Sequence, residues 1–233
     1  LYRDCQYYCP PIFFDEMNCF IPKKNPALEV CDHKLWMAYR DGKPVGRIAG
    51  IINRRANEHW GVKKVRFGWL DFIEYEEVLK ALLDTVVAWG KERGCTEIVG
   101  PWGFTDMDKE GLLVEGFENL SPFTCLYNFP YYGTMLEKLG YVKDVDWTQS
   151  VLLIDSKIPA TYKFSNLIEE RYGVHVVQPK SMRQMSKQYG MEIFHMYNDA
   201  FAPLMGFSPL TDKQIANYLD TYVPILDKDF VAV

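Results

Sequence analysis

Glu76-Glu-Val-Leu-Lys-Ala-Leu-Leu-Asp-Thr-Val-Val-Ala-Trp-Gly-Lys-Glu-Arg-Gly94, followed by Cys95-Thr-Glu-Ile-Val-Gly-Pro101, decides the fold class. Leu79, Leu82, Leu83, Val86 and Trp89 recur at helical spacing and mark one apolar face. Glu74, Glu76 and Glu77 stand near the start, where the helix dipole favours carboxylates. Lys91 and Arg93 stand in the last turn, and Gly94 is a natural C-cap. Thr96 to Val99 then reads as a short strand ended by Gly100-Pro101. On the other side, Val65-Arg-Phe-Gly-Trp-Leu-Asp-Phe72 reads as a strand whose Gly68 marks a bulge or a close approach by another segment. Strand, helix, strand is a βαβ unit, and its two strands should be parallel.

Working toward the N-terminus, residues 34–53 carry a hairpin. Leu35, Met37 and Tyr39 alternate with Trp36, Ala38 and Arg40, Asp41-Gly42 supplies the tight turn, and Val45 to Ile52 returns. An antiparallel hairpin beside a parallel pair gives a mixed α/β sheet flanked by helices. Residues 1–30, rich in Pro and in rings such as Tyr7, Tyr8, Phe13 and Phe14, read as irregular chain with short helices, whose rings either pack on the domain or bind a substrate.

Working toward the C-terminus, residues 101–130 form a long connection of the kind that is often functional. A helix follows over Tyr131–Leu139, capped by Gly140. Strands are expected at Tyr141–Asp144 and Trp147–Ile154. Asp155-Ser-Lys-Ile-Pro159 breaks the chain, and a helix runs from about Ala160 to Arg171. Val174–Val177 reads as a strand, Met182–Phe201 and Thr211–Leu226 as helices, and Phe230–Val233 as the start of a strand. The expected organisation is a domain over 1–155, a linker helix over 156–173 and the opening of a second domain over 174–233. The chain starts at Leu1 and ends inside an apparent strand, so both termini are expected to be incomplete.

Composition narrows the function. At 48% hydrophobic residues the chain has material for a core, which excludes disorder. A net charge of −5 with scattered lysines and arginines argues against a nucleic-acid partner. No apolar run reaches the roughly 20 residues of a membrane span, and no signal peptide is visible. The six cysteines are irregularly spaced and read as reduced thiols of a cytoplasmic protein. No nucleophile elbow, P-loop or dinucleotide fingerprint is present. Asp106, Asp108 and Glu110 alternate, as in a cation loop or a solvated turn; the expectation is no metal. His59 beside Trp60 reads as a base or as part of a surface turn.

The run Met135-Leu-Glu-Lys-Leu-Gly-Tyr141 is similar to the Leu-Tyr-Glu-Lys-Leu-Gly-Phe run of many GNAT acyltransferases. The order hairpin, strand, long helix, strand, loop, helix, strand resembles the same superfamily over residues 1–154. Gly111-Leu-Leu-Val-Glu-Gly-Phe117 and Tyr127-Asn-Phe-Pro-Tyr-Tyr132 look like a bacterial subgroup in which one GNAT-like domain follows another. The resemblance implies acyl transfer, most simply acetyl transfer, from acetyl-CoA or another acyl-CoA to a small-molecule or peptide amine. It implies that the cofactor's pantetheine pairs with a splayed strand, here Trp69, Leu70, Asp71 and Phe72, with Asn128 nearby. It also implies a pyrophosphate site at the start of the long helix.

Two positions depart from that pattern. Where the family has a glycine-rich loop, this chain has Ile73-Glu-Tyr-Glu-Glu77. A carboxylate about 4 Å from a phosphate charge costs about 1 kcal/mol even in water. Where the family has a proton-donating tyrosine, this chain has Leu136. Tyr131 and Tyr132, which open the same helix, are then the best-placed general acids. Phe117 and Tyr127 either line a substrate cleft with them or pin the loop. The expectation is an enzyme whose acyl-CoA is held mainly by residues beyond 233; the alternative is a non-catalytic binding module. A homodimer is expected on general grounds.

Overall fold

The computed structural model describes residues 1–153, 162 and 164–233. The sheet has four strands in the order β1 (Cys31–Arg40), β2 (Lys43–Asn53), β3 (Lys64–Phe72) and β4 (Glu97–Val99). The first three are antiparallel neighbours, and β4 runs parallel to β3 through Lys64↔Glu97, Val65↔Ile98 and Arg66↔Val99. The chain is therefore a mixed α/β protein with helices against the sheet, as the hairpin and the βαβ pattern predict.

Each element forms for a local reason. Asp41 and Gly42 take positive φ angles of 50° and 74° at the hairpin turn. The helix α1 (Phe13–Asn18) buries no residue. A short helix that sequence periodicity missed, α2 (Arg54–Trp60), is capped by Asn53, whose side chain accepts from the Ala56 N–H at 2.9 Å. Two turns are too short to show a period, but the cap residue was a readable signal. The long helix α3 (Glu76–Lys91) buries the Leu79, Leu82, Leu83, Val86 and Trp89 face expected of it. Each of these side chains contributes about 1.5–3 kcal/mol on burial. They pack on Ile48, Ile52, Val65, Phe67 and Phe72, with Tyr132 and Leu136 of α4 (Tyr131–Lys138) closing the same core. The opposite face of the sheet carries a smaller core, Ala27, Cys31, Ile51 and Phe104, joined by Phe20 and Trp69.

The chain divides into two compact units. The first holds residues 1–142 and 192–217, the second residues 143–191 and 218–233. The second contains α5 (Ser165–Tyr172), and the boundaries fall within α6 (Met182–Phe201) and α7 (Asp212–Tyr222). Within the second unit Val177 and Val233 exchange two backbone hydrogen bonds of 2.6 and 3.0 Å. A Cβ on Gly190 would lie 2.8 Å from Leu219, so the two helices meet closely there.

Several expected strands do not form. Residues 141–153 carry no strand, and neither do 174–177 and 230–233 beyond the single Val177–Val233 pair. Val151, Leu152 and Leu153 are exposed, so the apolar run lacks the partner that a strand requires. The break expected at Asp155–Pro159 and the helix start at Ala160 lie outside the described residues. The helix expected to run to Leu226 stops at Tyr222 because Pro224 removes a helical N–H; a 3-10 turn, Val223–Ile225, follows.

Candidate functional site

β3 and β4 pair for three residues and then separate. Beyond Val99 the chain leaves the strand direction, and Trp102 N–H donates to Phe67 O at 2.7 Å. Trp102 O comes so close to β3 that a Cβ on Gly68 would sit 2.4 Å from it. That is the close approach its sequence position signals. One residue later β3 bulges. Register with β2 shifts between Arg47 and Ala49, and Trp69 adopts φ 47°. The bulge turns the end of β3, Trp69 to Phe72, away from the regular ladder.

The four residues of that stretch face different surroundings. Trp69 packs on Phe20 and Phe104, with ring centroids 4.7 and 5.5 Å away. Leu70 and Phe72 are buried in the α3 core. Asp71 stays half-exposed and accepts from Arg47 Nε at 2.7 Å; Arg47 also reaches Glu16 of α1 at 3.4 Å.

Tyr131 and Tyr132 both come to Phe72. The Tyr131 hydroxyl donates to Phe72 O at 2.6 Å, and the Tyr132 hydroxyl accepts from Phe72 N–H at 3.3 Å. The Tyr132 hydroxyl also meets the Tyr2 hydroxyl at 2.9 Å and lies 3.5 Å from Asp71 Oδ1. These phenols are poor acids. Burial first, and then the charge of Glu74, pushes Tyr131 up to about 12. Burial, with Asp71 next, pushes Tyr132 and Tyr2 higher still. Leu136, one turn on, is buried in the core.

Asn128 is buried, and its amide is spent on the loop itself. Oδ1 accepts from Leu113 N–H at 2.7 Å, and Nδ2 donates to Leu113 O and Phe129 O at 3.1 Å. Tyr127 donates its hydroxyl to Phe117 O at 3.1 Å. Asn128, Tyr127 and Phe117 thus pin residues 113–129 together. Only Tyr127 also touches the site, edge-on to Tyr2 at 6.1 Å. Sequence reasoning missed Tyr2 and Arg47, and had Tyr8 only as one of the aromatic rings of residues 1–30. Tyr2 stacks on Tyr8 at 4.4 Å and on Phe129 at 5.1 Å, and Tyr2 and Tyr8 line a 300 Å³ cavity with Asp71 and Arg47. The aromatic wealth of residues 1–30 was the only signal.

The carboxylates of 106–110 form neither a cation loop nor a solvated turn. Their charge is felt by Arg66, which is buried and held by Gly103 O and Phe104 O at 3.2 Å, Ser208 Oγ at 3.0 Å and the face of Trp102 at 4.6 Å. Asp108 accepts from Thr105 N–H at 3.0 Å. Asp106 accepts from Ser208 N–H at 3.1 Å and from the Tyr197 hydroxyl. Glu110 is pushed up to about 7 by burial and by the charge of Asp106. His59 donates through Nε2 to Ala202 O at 2.8 Å, which leaves Nδ1 as the acceptor nitrogen. Among the described residues all six cysteines are free, and burial pushes Cys19 and Cys31 up to about 12. No described helix is long and apolar enough to cross a membrane.

Comparison with known proteins gives two distant relatives. The chain is similar to the protein YghO of Escherichia coli K12, 28% identical over the whole chain and 59% of that protein. It is similar to a bacterial ceramide synthase of Caulobacter vibrioides, 26% identical over 95% of this chain and 57% of that protein. The chain thus spans less than two thirds of either relative. No family model matches, and no solved structure matches.

Proposed function

We propose that this chain belongs to an acyl-CoA-dependent N-acyltransferase that moves an acetyl or other acyl group to an amine. The observation that carries the reading is the end of the β3–β4 ladder at Arg66 and Val99, with Trp102 crossing at Gly68 and the Trp69 bulge just beyond it. Beyond that crossing Trp69–Phe72 has no β4 neighbour, an edge with which an extended acyl carrier can pair, and a bulge re-aims backbone N–H groups toward a developing oxyanion. The name of the Caulobacter relative, a ceramide synthase, is that of an acyl-transferring enzyme. In this reading residues 1–155 form one GNAT-like domain, 156–173 link it, and 174–233 open a second, in a cytoplasmic protein. Incubation with acetyl-CoA or a longer acyl-CoA and a panel of amines should release free thiol. No release with any donor would sink the reading.

A specific observation favours a second reading for the first domain, that of a module which binds without turnover. The hydroxyls of Tyr131 and Tyr132 already hold the C=O and N–H of Phe72, which pantetheine would otherwise use. Glu76 and Glu77 occupy the first turn of α3, where a pyrophosphate would sit. Both favour a cofactor site outside this domain. Paired Tyr131→Phe and Tyr132→Phe substitutions separate the two placements. If acyl-CoA is held at β3, calorimetric affinity should change, since its competitor hydroxyls are gone; if it is held elsewhere, affinity should stay level.

A further inference from the structure

The cavity between the N-terminal segment and the ends of β2 and β3 has a composition of its own. It measures about 300 Å³, at the lower end for a small-molecule site. Tyr2, Tyr8, Met37, Val45 and Ile73 supply apolar walls, and Asp71 and Arg47 supply the charge. Arg47 is shared between two carboxylates, Asp71 at 2.7 Å and Glu16 at 3.4 Å, so this group of three carries one net negative charge. Lys109 feels Glu16, but forms no ion pair with it or with Asp71 among the described residues. Asp71 Oδ2 takes the Arg47 bond, whereas Oδ1 has the long 3.5 Å contact with Tyr132, and the carboxylate also interacts with the Tyr2 hydroxyl. An ionised carboxylate has about four acceptor sites, so Oδ1 retains capacity. Both faces of the Tyr2 ring are taken, by Tyr8 and by Phe129, so Tyr2 and Tyr8 act here as an apolar wall and the charge is left to Asp71.

We infer that this cavity is a site for a protonated primary amine bearing an apolar chain, with the ammonium on Asp71 and the chain along Met37, Val45 and Ile73. The inference rests on the acyltransferase reading for its place in a reaction, where it supplies the acceptor, but not for the binding itself. An alcohol of the same length would offer Asp71 one neutral donor instead of a charged one, and charge-assisted bonds are about twice as strong. A carboxylate of the same length would be repelled by Asp71.

The test needs no acyl-CoA. Calorimetric titration of the protein with octylamine, octanol and octanoate should show octylamine bound tightest, with octanoate weakest. Asp71→Asn should weaken octylamine by about tenfold or more and leave octanol nearly level. Met37→Trp, at an exposed position, should fill the cavity and weaken octylamine and octanol together; melting curves of both variants check that they fold. Equal affinity for octylamine and octanol, or an Asp71→Asn variant that binds octylamine as the parent does, overturns the inference. Octylamine binding without thiol release in the presence of acyl-CoA keeps the amine site and removes the acyltransferase reading. Thiol release without octylamine binding does the reverse.

Discussion

Arg66 and Glu110 illustrate how a charge in the interior is tolerated or not. Arg66 has two carbonyls, a serine hydroxyl and an indole face around it, which offset part of its loss of water, although burial still pulls its pKa down. Glu110 has a buried oxygen, Oε2, with no hydrogen-bond partner among the described residues, and so its neutral form is favoured. The folded chain keeps that proton up to about pH 7, while the unfolded chain releases it near 4.5. Between those values the native state binds more protons, so this group's contribution to stability falls as pH rises and is level above them. Glu110→Gln removes the titration. Its melting temperature, compared with the parent, should gain progressively as pH is raised across that window. A gap that stays constant with pH would contradict the assignment. In Arg66→Met two buried carbonyls and the Ser208 hydroxyl lose a charged donor, and chemical denaturation should show a loss of about 1–3 kcal/mol.

At the scale of elements, the bulged strand is the decisive piece. Gly68 has to lack a Cβ because Trp102 O lies 2.4 Å from where one would be, and backbone cannot swing away as a flexible side chain can. Gly68→Ala should therefore cost about 1–3 kcal/mol in denaturant melts, the range for overpacking, although an alanine suits a strand no worse than glycine elsewhere. An unchanged midpoint would mean that the β4 exit does not press on β3. This glycine, the hairpin turn and the apolar face of α3 were legible in the sequence, because each is a local pattern. The tyrosines were legible as residues but not as partners of Phe72, since a contact across about sixty positions leaves no periodic trace. Asn128 misled for the opposite reason. A polar residue between aromatics suggests a cleft, yet here its amide replaces the strand bonds that residues 113–129 lack. The strands expected after Tyr141 failed because apolar alternation describes a surface that wants a neighbour and cannot supply one.

At the scale of the molecule, the first unit recruits a segment from much later in the chain. Trp60 Nε1–H donates to Phe207 O at 2.9 Å, Lys213 pairs with Glu29 at 2.9 Å, and Ser208 touches both Arg66 and Asp106. Nothing local announced this, because arginines and aspartates in a polar loop look solvated until their partners are known. Asp106→Ala removes the acceptor of the Ser208 N–H and the Tyr197 hydroxyl. Amide hydrogen exchange at Ser208 should then speed up by about tenfold, equivalent to about 1.4 kcal/mol, while the centre of α3 is unaffected. Equal acceleration in α3 would instead mean global destabilisation. The same arrangement orders events during synthesis. A ribosome releases the whole sheet and α3 well before it releases Ser208. Until then Arg66 lacks the Ser208 hydroxyl, the Trp60 indole N–H lacks its acceptor, and Trp102 lies open where Gly206 will later cover it. The nascent unit is thus held one step short of closure while residues 143–191 emerge, and a gene cut at the sequence boundary near 155 would make that waiting state permanent.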